Sequence, residues 1–273
     1  MLVDLSEYSL LRLRDDGEFV LYRGCAVHRE LPSILLLAPA STRPRPETLE
    51  KIDHEYSLAS TLAPAWAARP IAVAEHWRLR ALVLEDPGGE TLDGLLSGPI
   101  ETRQCLSVAA AVAAALAQLH GKQVIHKDVK PTNILVDAAT GRAWLTGFGI
   151  ASRLRRERQA PEPPEFIAGT LPFMAPEQTG RMNRSVDSRS DLYALGITLY
   201  QMLTGQLPFR ATDPLEWVHC HIARYPAPPH ERVESVPPSV SAIVMRLLAK
   251  TPEERYQTAS GVEVGRASCR ERV

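Results

Sequence analysis

The chain has 273 residues, 31 basic and 32 acidic side chains, a formal net charge of −1 and 45% apolar residues. That length fits one large domain or two lobes, and the near-zero charge excludes a bulk field for nucleic acid or anionic lipid. The four cysteines, Cys25, Cys105, Cys220 and Cys269, form no C-x-x-C pair and no framework, which predicts a reduced, cytoplasmic chain. Met1-Leu2-Val3-Asp4 lacks the basic-then-apolar order of a secretory signal. The apolar run Leu106 to Leu119 is too short to span a bilayer and is broken by Ser107 and Gln118, so a buried helix and no membrane segment are expected.

In chain order, Ser9 to Arg14 alternates as a strand, Asp15-Asp16-Gly17 forms a turn, and Glu18 to His28 makes a second strand. Ser33 to Ala38 is a short apolar third strand. Glu47 to Leu62 reads as a helix with Leu49, Ile52, Tyr56 and Ala59 on one face and Glu55 near its middle. Ile71 to Ala74 and Leu79 to Glu85 complete five strands, and Pro87-Gly88-Gly89 breaks the pattern. Beyond it the chain turns helical: a short helix at Thr91 to Leu96, then Glu101 to His120, apolar nearly all round.

Ala143 to Leu145 is a strand, and Ser152 to Phe166 is a basic, then Pro-rich, exposed stretch carrying Arg153, Arg155, Arg156 and Arg158. Ser190 to Thr204 is a helix capped by Gly205. Asp213-Pro214 starts another over Leu215 to Ala223, where His219 and His221, two apart, fall on different faces. A Pro-rich loop, Pro226 to Pro238, precedes an amphipathic helix over Ser239 to Lys250. Gly265 to Val273 loses the apolar period, and one back-translation of it matches a common sequencing adapter; it is expected to be a non-native tail that cuts short a longer chain.

The densest chemistry lies in His126-Lys127-Asp128-Val129-Lys130-Pro131-Thr132-Asn133, a loop braced by two short buried strands expected at Val124-Ile125 and Ile134 to Val136. An acid, a base and an amide at fixed spacing can accept a hydroxyl proton, neutralise a phosphate and ligate a hard cation; the bland alternative is a polar surface turn. The stretch resembles the protein-kinase catalytic loop, H-R-D-x-x-x-x-N. Gly169 to Glu177 is similar to the end of a kinase activation segment, and Asp191 to Gly196 to the central helix of its helical lobe. The resemblance covers residues of about 9 to 264 and implies an α+β, two-lobed kinase fold: a five-stranded lobe with one helix over 1–86, a helical lobe over 87–264, and a hinge near 85–90. Glu177 to Arg184 and His219 to Ala223 further resemble the N-terminal kinase-like module of bacterial multi-domain sensor hybrid histidine kinases.

By that resemblance Asp128 would accept the substrate hydroxyl proton, Lys130 would neutralise the γ-phosphate and Thr170 would orient both. ATP would be contacted at Glu85, Leu135 and Asn133, with Asn133 holding one Mg²⁺. His126 and Asp191 would brace the loop, and Arg255 would pair with Glu177. Lys127 replaces the usual arginine.

The nucleotide side departs from the family. Gly147-Phe148-Gly149 stands where the metal-binding D-F-G is expected, the Gly-rich loop is reduced to Asp15-Asp16-Gly17, and Ile34 to Ala38 contains no lysine to pair with Glu55. With Leu84 aligned as gatekeeper, Pro87 falls where a backbone N–H would meet adenine, and proline has none. The expectation is a Ser/Thr kinase-like, pseudokinase-like regulatory module with weak or no transfer. The alternative is an active ATP-dependent Ser/Thr kinase, with compensation by Asp137 or another carboxylate reaching the metal. A small-molecule phosphotransferase is disfavoured by the peptide-positioning segment Gly169 to Glu177. Implied partners are a protein substrate or regulator and downstream domains of a longer signalling chain.

Overall fold

The computed structural model describes residues 4–27, 31–76, 79–153 and 169–262. The strand end expected at His28, the basic residues Arg155, Arg156 and Arg158, most of the Pro-rich stretch and the suspected tail lie outside the described residues. The chain divides into two units: one runs through Leu95 and takes in Thr132–Ile150, and the other holds Leu96–Pro131 and the chain from Ala151 onward. The first unit takes in its second stretch because three short strands, one before and two within that stretch, pair with one another.

The first unit is an antiparallel sheet in the order β1-β2-β3-β5-β4, built from β1 (Tyr8–Asp15), β2 (Phe19–Ala26), β3 (Ile34–Pro39), β4 (Pro70–His76) and β5 (Leu79–Glu85), with α1 (Pro46–Ser57) between β3 and β4. β3 is central and buried throughout, which is why it reads as a continuous apolar run. Leu35 and Leu37 join Leu21, Ile52, Leu84, Leu135 and Trp144 in one cluster, while Ile34 and Leu36 pack with Ala72 and Val83 in another. Burying each of these large side chains contributes roughly 1.5–3 kcal/mol. A smaller sheet, β6 (Glu90–Thr91), β7 (Ile134–Asp137) and β8 (Arg142–Leu145), completes the unit. The expected helix at Thr91 to Leu96 is therefore β6 followed by a 3₁₀ turn at Leu92–Leu95.

Two features of α1 differ from expectation. It stops at Ser57, because the Leu58 and Thr61 N–H groups turn to carbonyls three residues back. Its buried stripe is Thr48, Ile52 and Glu55, leaving Tyr56 exposed. Positions spaced by four and three share a face, so burying Glu55 carries Thr48 and Ile52 inward with it.

The second unit is helical. α2 (Thr102–Gly121) starts at an N-cap, Glu101, and buries Cys105, Val112, Leu116 and Leu119. Among the described residues it is the one helix long and apolar enough to cross a membrane, and these side chains pack it into the unit's interior. α3 (Ser188–Thr204) is buried on nearly all sides and ends at Gly205, whose φ of 69° suits glycine. It crosses close to α6 at Gly196, where an added Cβ would lie 2.7 Å from Leu247 Cβ. α4 (Pro214–Ala223) is capped by Asp213. The Pro-rich stretch after it contains a single-turn helix, α5 (Pro229–Arg232), begun by prolines, and α6 (Pro238–Leu247) follows. Val124-Ile125 forms no strand beyond one bridge between Ile125 and Ser152.

Candidate active site

In the second unit, the loop after α2 turns on two residues with left-handed backbone, Gln123 at φ 62° and Lys127 at φ 70°. Holding a non-glycine residue there costs ~1–2 kcal/mol. The Asp191 carboxylate offsets this at Lys127: it accepts the backbone N–H of His126 at 2.9 Å and of Lys127 at 2.8 Å, with His120 Nε2 2.8 Å away. Gln178 adds a second hold, donating to the Lys127 carbonyl at 2.9 Å while accepting the Ala175 N–H at 3.0 Å. His126 is fully buried, and its Nδ1 accepts the Asp128 N–H at 3.3 Å. Sequence reading singled out neither His120 nor Gln178; each stands within a motif that was read, one closing α2 and the other following Glu177.

So fixed, the loop brings together Asp128, Lys130 and Thr170. Lys130 Nζ lies 3.0 Å from Asp128 Oδ2 and donates to Thr170 Oγ1 at 2.7 Å, while Asp128 Oδ1 accepts the Thr170 N–H at 3.1 Å. Burial alone would raise the Asp128 carboxyl, but the Lys130 charge and hydrogen bond, with Thr170, hold it below its ordinary value. It is therefore a carboxylate at neutral pH. A carboxylate, an ammonium and a hydroxyl within one hydrogen-bond network can take a proton from an incoming alcohol and screen the charge of a transferring phosphoryl group.

The far end of this unit is anchored by Arg255, which is fully buried and ion-paired to Glu177 through two contacts of 2.6 and 2.9 Å. Its other N–H groups donate to the carbonyls of Ala249, Arg189 and Lys250, so all five donors are used. Ser190 Oγ also donates to Glu177.

Asn133 belongs to the first unit and has different company. Its side chain is buried, and its Oδ1 accepts from Arg14 at 3.2 Å. Arg14 comes from β1, where the pairing with β2 slips between Arg12 and Arg14; such a bulge re-aims a side chain, and the Arg14 side chain is only 3% exposed. Its other arm meets Asp16 at 2.6 Å. Glu55 is buried as well, accepts backbone N–H groups of Phe148 and Gly147, and feels the Arg14 charge, yet burial dominates and pushes its carboxyl up to about 7. Among the described residues Glu55 forms no ion pair with lysine. Lys51, one turn earlier, pairs with Glu18 at 2.6 Å. Arg14 was read only as a strand end; the missing β3 lysine was the one signal that a cation had to come from elsewhere.

The Mg²⁺ that the kinase resemblance implies does not fit these residues. Gly147 offers no carboxylate, and a Cβ built on it would lie 2.6 Å from Asn133 Oδ1, so the amide already occupies that space. Its oxygen accepts from the Arg14 guanidinium. Asp137 is committed to its own turn, accepting from Ala139 at 2.9 Å and Thr140 at 2.6 Å. The other residues expected to touch nucleotide are also engaged: Leu135 is wholly buried in the sheet core, and Glu85 pairs with Arg69.

Residues 41–264 match the family model described as "Protein kinase domain". The chain belongs to the protein kinase family. It is 37% identical over 181 residues to serine/threonine-protein kinase PknB of Mycobacterium leprae, and 36% identical over 181 residues to PknB of Mycobacterium tuberculosis; each alignment covers 66% of this chain and 28% of the relative. Serine/threonine-protein kinase Pkn1 of Myxococcus xanthus is 36% identical over 178 residues, covering 64% of this chain and 25% of the relative. The chain thus spans little more than a quarter of the length of these relatives.

Proposed function

We propose that this chain is the protein Ser/Thr kinase domain of a bacterial signalling protein, with its acceptor-side chemistry kept and its metal-binding half replaced. On this reading it works as a regulatory or interaction module with weak or no phosphoryl transfer. The observation that carries it is Asn133, whose amide oxygen accepts from Arg14 and whose neighbour Gly147 has no side-chain carboxylate. Losing one preorganised electrostatic group typically costs ~10²–10³ in kcat.

A second reading is an active ATP-dependent protein Ser/Thr kinase, with ATP and Mg²⁺ as the family implies. The Asp128, Lys130 and Thr170 geometry favours it, and so do the names of the relatives, which support activity more directly than degeneracy. On the second reading Asp128 takes the hydroxyl proton, Lys130 neutralises the γ-phosphate and Thr170 orients both; on either reading His126, Asp191, Glu177 and Arg255 keep the frame. The partners are a protein substrate or regulator and further domains of a longer chain, in a cytoplasmic setting; the module of a sensor hybrid histidine kinase is one such context.

Incubating the chain with labelled ATP, a generic protein substrate and Mg²⁺ or Mn²⁺, beside an Asp128→Asn control, separates the two readings. Label no greater than in the control supports the first. Transfer that is strong and lost in Asp128→Asn establishes the second.

A further inference from the structure

His221 was noted in the sequence only as one of two histidines on a helix. The pair separate in the structure: His219 is exposed, while His221 is 1% exposed and sits between Tyr193, Phe209 and Trp217. Its ring makes two hydrogen bonds, from Nδ1 to Tyr193 Oη at 3.0 Å and from Nε2 to the Leu171 carbonyl at 2.8 Å. A carbonyl can only accept, so Nε2 carries the proton and Nδ1 accepts from the Tyr193 hydroxyl. Lys250 Nζ lies 3.4 Å behind that hydroxyl and donates to the Cys220 carbonyl at 3.1 Å. The donors run in one direction, from Lys250 through Tyr193 and His221 to Leu171.

Leu171 follows Thr170 and opens the 3₁₀ turn Leu171–Phe173, which closes with the Phe173 N–H on the Thr170 carbonyl at 2.9 Å. Thr170 is also the residue that meets both Asp128 and Lys130. We propose that His221 is a positioning residue for the acceptor site: by holding the Leu171 carbonyl from α4, it fixes the turn that sets Thr170 against Asp128 and Lys130. The charges facing the ring network are Lys250 and, around the Tyr193 ring, Arg255 at 4.9 Å with its partner Glu177. Burial first, and Lys250 second, push the imidazole down to about 3, so near neutral pH the ring is neutral and Nδ1 is free to accept from the Tyr193 hydroxyl.

The consequence for catalysis rests on the acceptor-site reading; the bond itself does not, and its test needs no turnover. Nitrogen-15 NMR of the histidine rings should show His221 neutral, protonated on Nε2, and not titrating between pH 5 and 8. Hydrogen exchange at Thr170 and Phe173 should quicken about tenfold in His221→Phe, which keeps the ring but not the donor. His221→Gln, whose amide N–H reaches for the same carbonyl, should restore most of the protection. A neutral His221 protonated on Nδ1 in the unaltered chain would overturn the proposal even if neither variant folds. So would unchanged exchange at Thr170 in a folded His221→Phe, or equal loss in both variants. If transfer is detected, His221→Phe should lower kcat and His221→Gln should rescue it.

Discussion

The two units handle buried charge in opposite ways. In the second, Arg255 uses all five donors and Glu177 has both oxygens paired, and the Asp191 carboxylate takes two backbone N–H groups and a histidine. In the first, Arg14 and Glu55 are equally buried, yet Arg14 Nε and Glu55 Oε1 have no hydrogen-bond partner. A network that closes on itself holds its parts rigidly; one with loose ends holds them less tightly. The comparison teaches that the charges around Glu177 and Asp191 are closed among themselves, while those around Arg14 and Glu55 are only partly satisfied.

The largest effect should come from breaking the closed network. Arg255→Ala leaves Glu177 buried and without its partner, and such changes cost ~3–5 kcal/mol; urea denaturation should show it, and a loss under 1 kcal/mol would mean the pair is not the anchor described. Glu55→Gln tests the open network. A folded-state value of about 7, against an ordinary 4.5, means the fold binds this proton more tightly than the unfolded chain does. The stability it contributes is full below pH 4.5 and is lost as pH rises through 7, a swing of up to ~3 kcal/mol. Glu55→Gln should therefore be more stable than the parent at pH 8, with the gain shrinking toward pH 5; a gain that grows on acidification contradicts the assignment.

Gly147→Asp should destabilise by ~1–3 kcal/mol in thermal unfolding, because φ is 76° and the Asn133 amide fills the Cβ position. Neutral tolerance would mean that the amide is free to leave. Lys127→Gly should be the mildest, gaining ~1 kcal/mol or less by relieving a left-handed lysine. A clear loss would show that the lysine side chain, and not only its backbone, holds the loop.

How much of this was legible beforehand follows the same division. The pattern of apolar runs and turns marked all five strands of the large sheet, β1 by its alternation and β3 by its apolar run; it marked α2 by its long apolar stretch, and α3 and α4 by the caps at Gly205 and Asp213. It misplaced the face of α1, because burying Glu55 answers to Gly147 and Phe148, far away in sequence. The set of Asp128, Lys130 and Thr170 was readable because the first two lie two residues apart in one loop motif and Thr170 lies within a recognisable segment. Arg14 was not, because a one-residue slip in strand pairing decides its direction and nothing in the alternation of β1 announces it. The His221 bond joins residues fifty positions apart and left only a pair of histidines as its trace.

The central claim, that Arg14 stands where a metal would be needed at Asn133, is tested most directly by electron paramagnetic resonance of Mn²⁺ titrated into the chain with and without ATP. The account predicts that the spectrum remains that of free Mn²⁺ or of Mn²⁺·ATP at every protein concentration. A protein-bound Mn²⁺ signal that is lost in Asn133→Ala would contradict it.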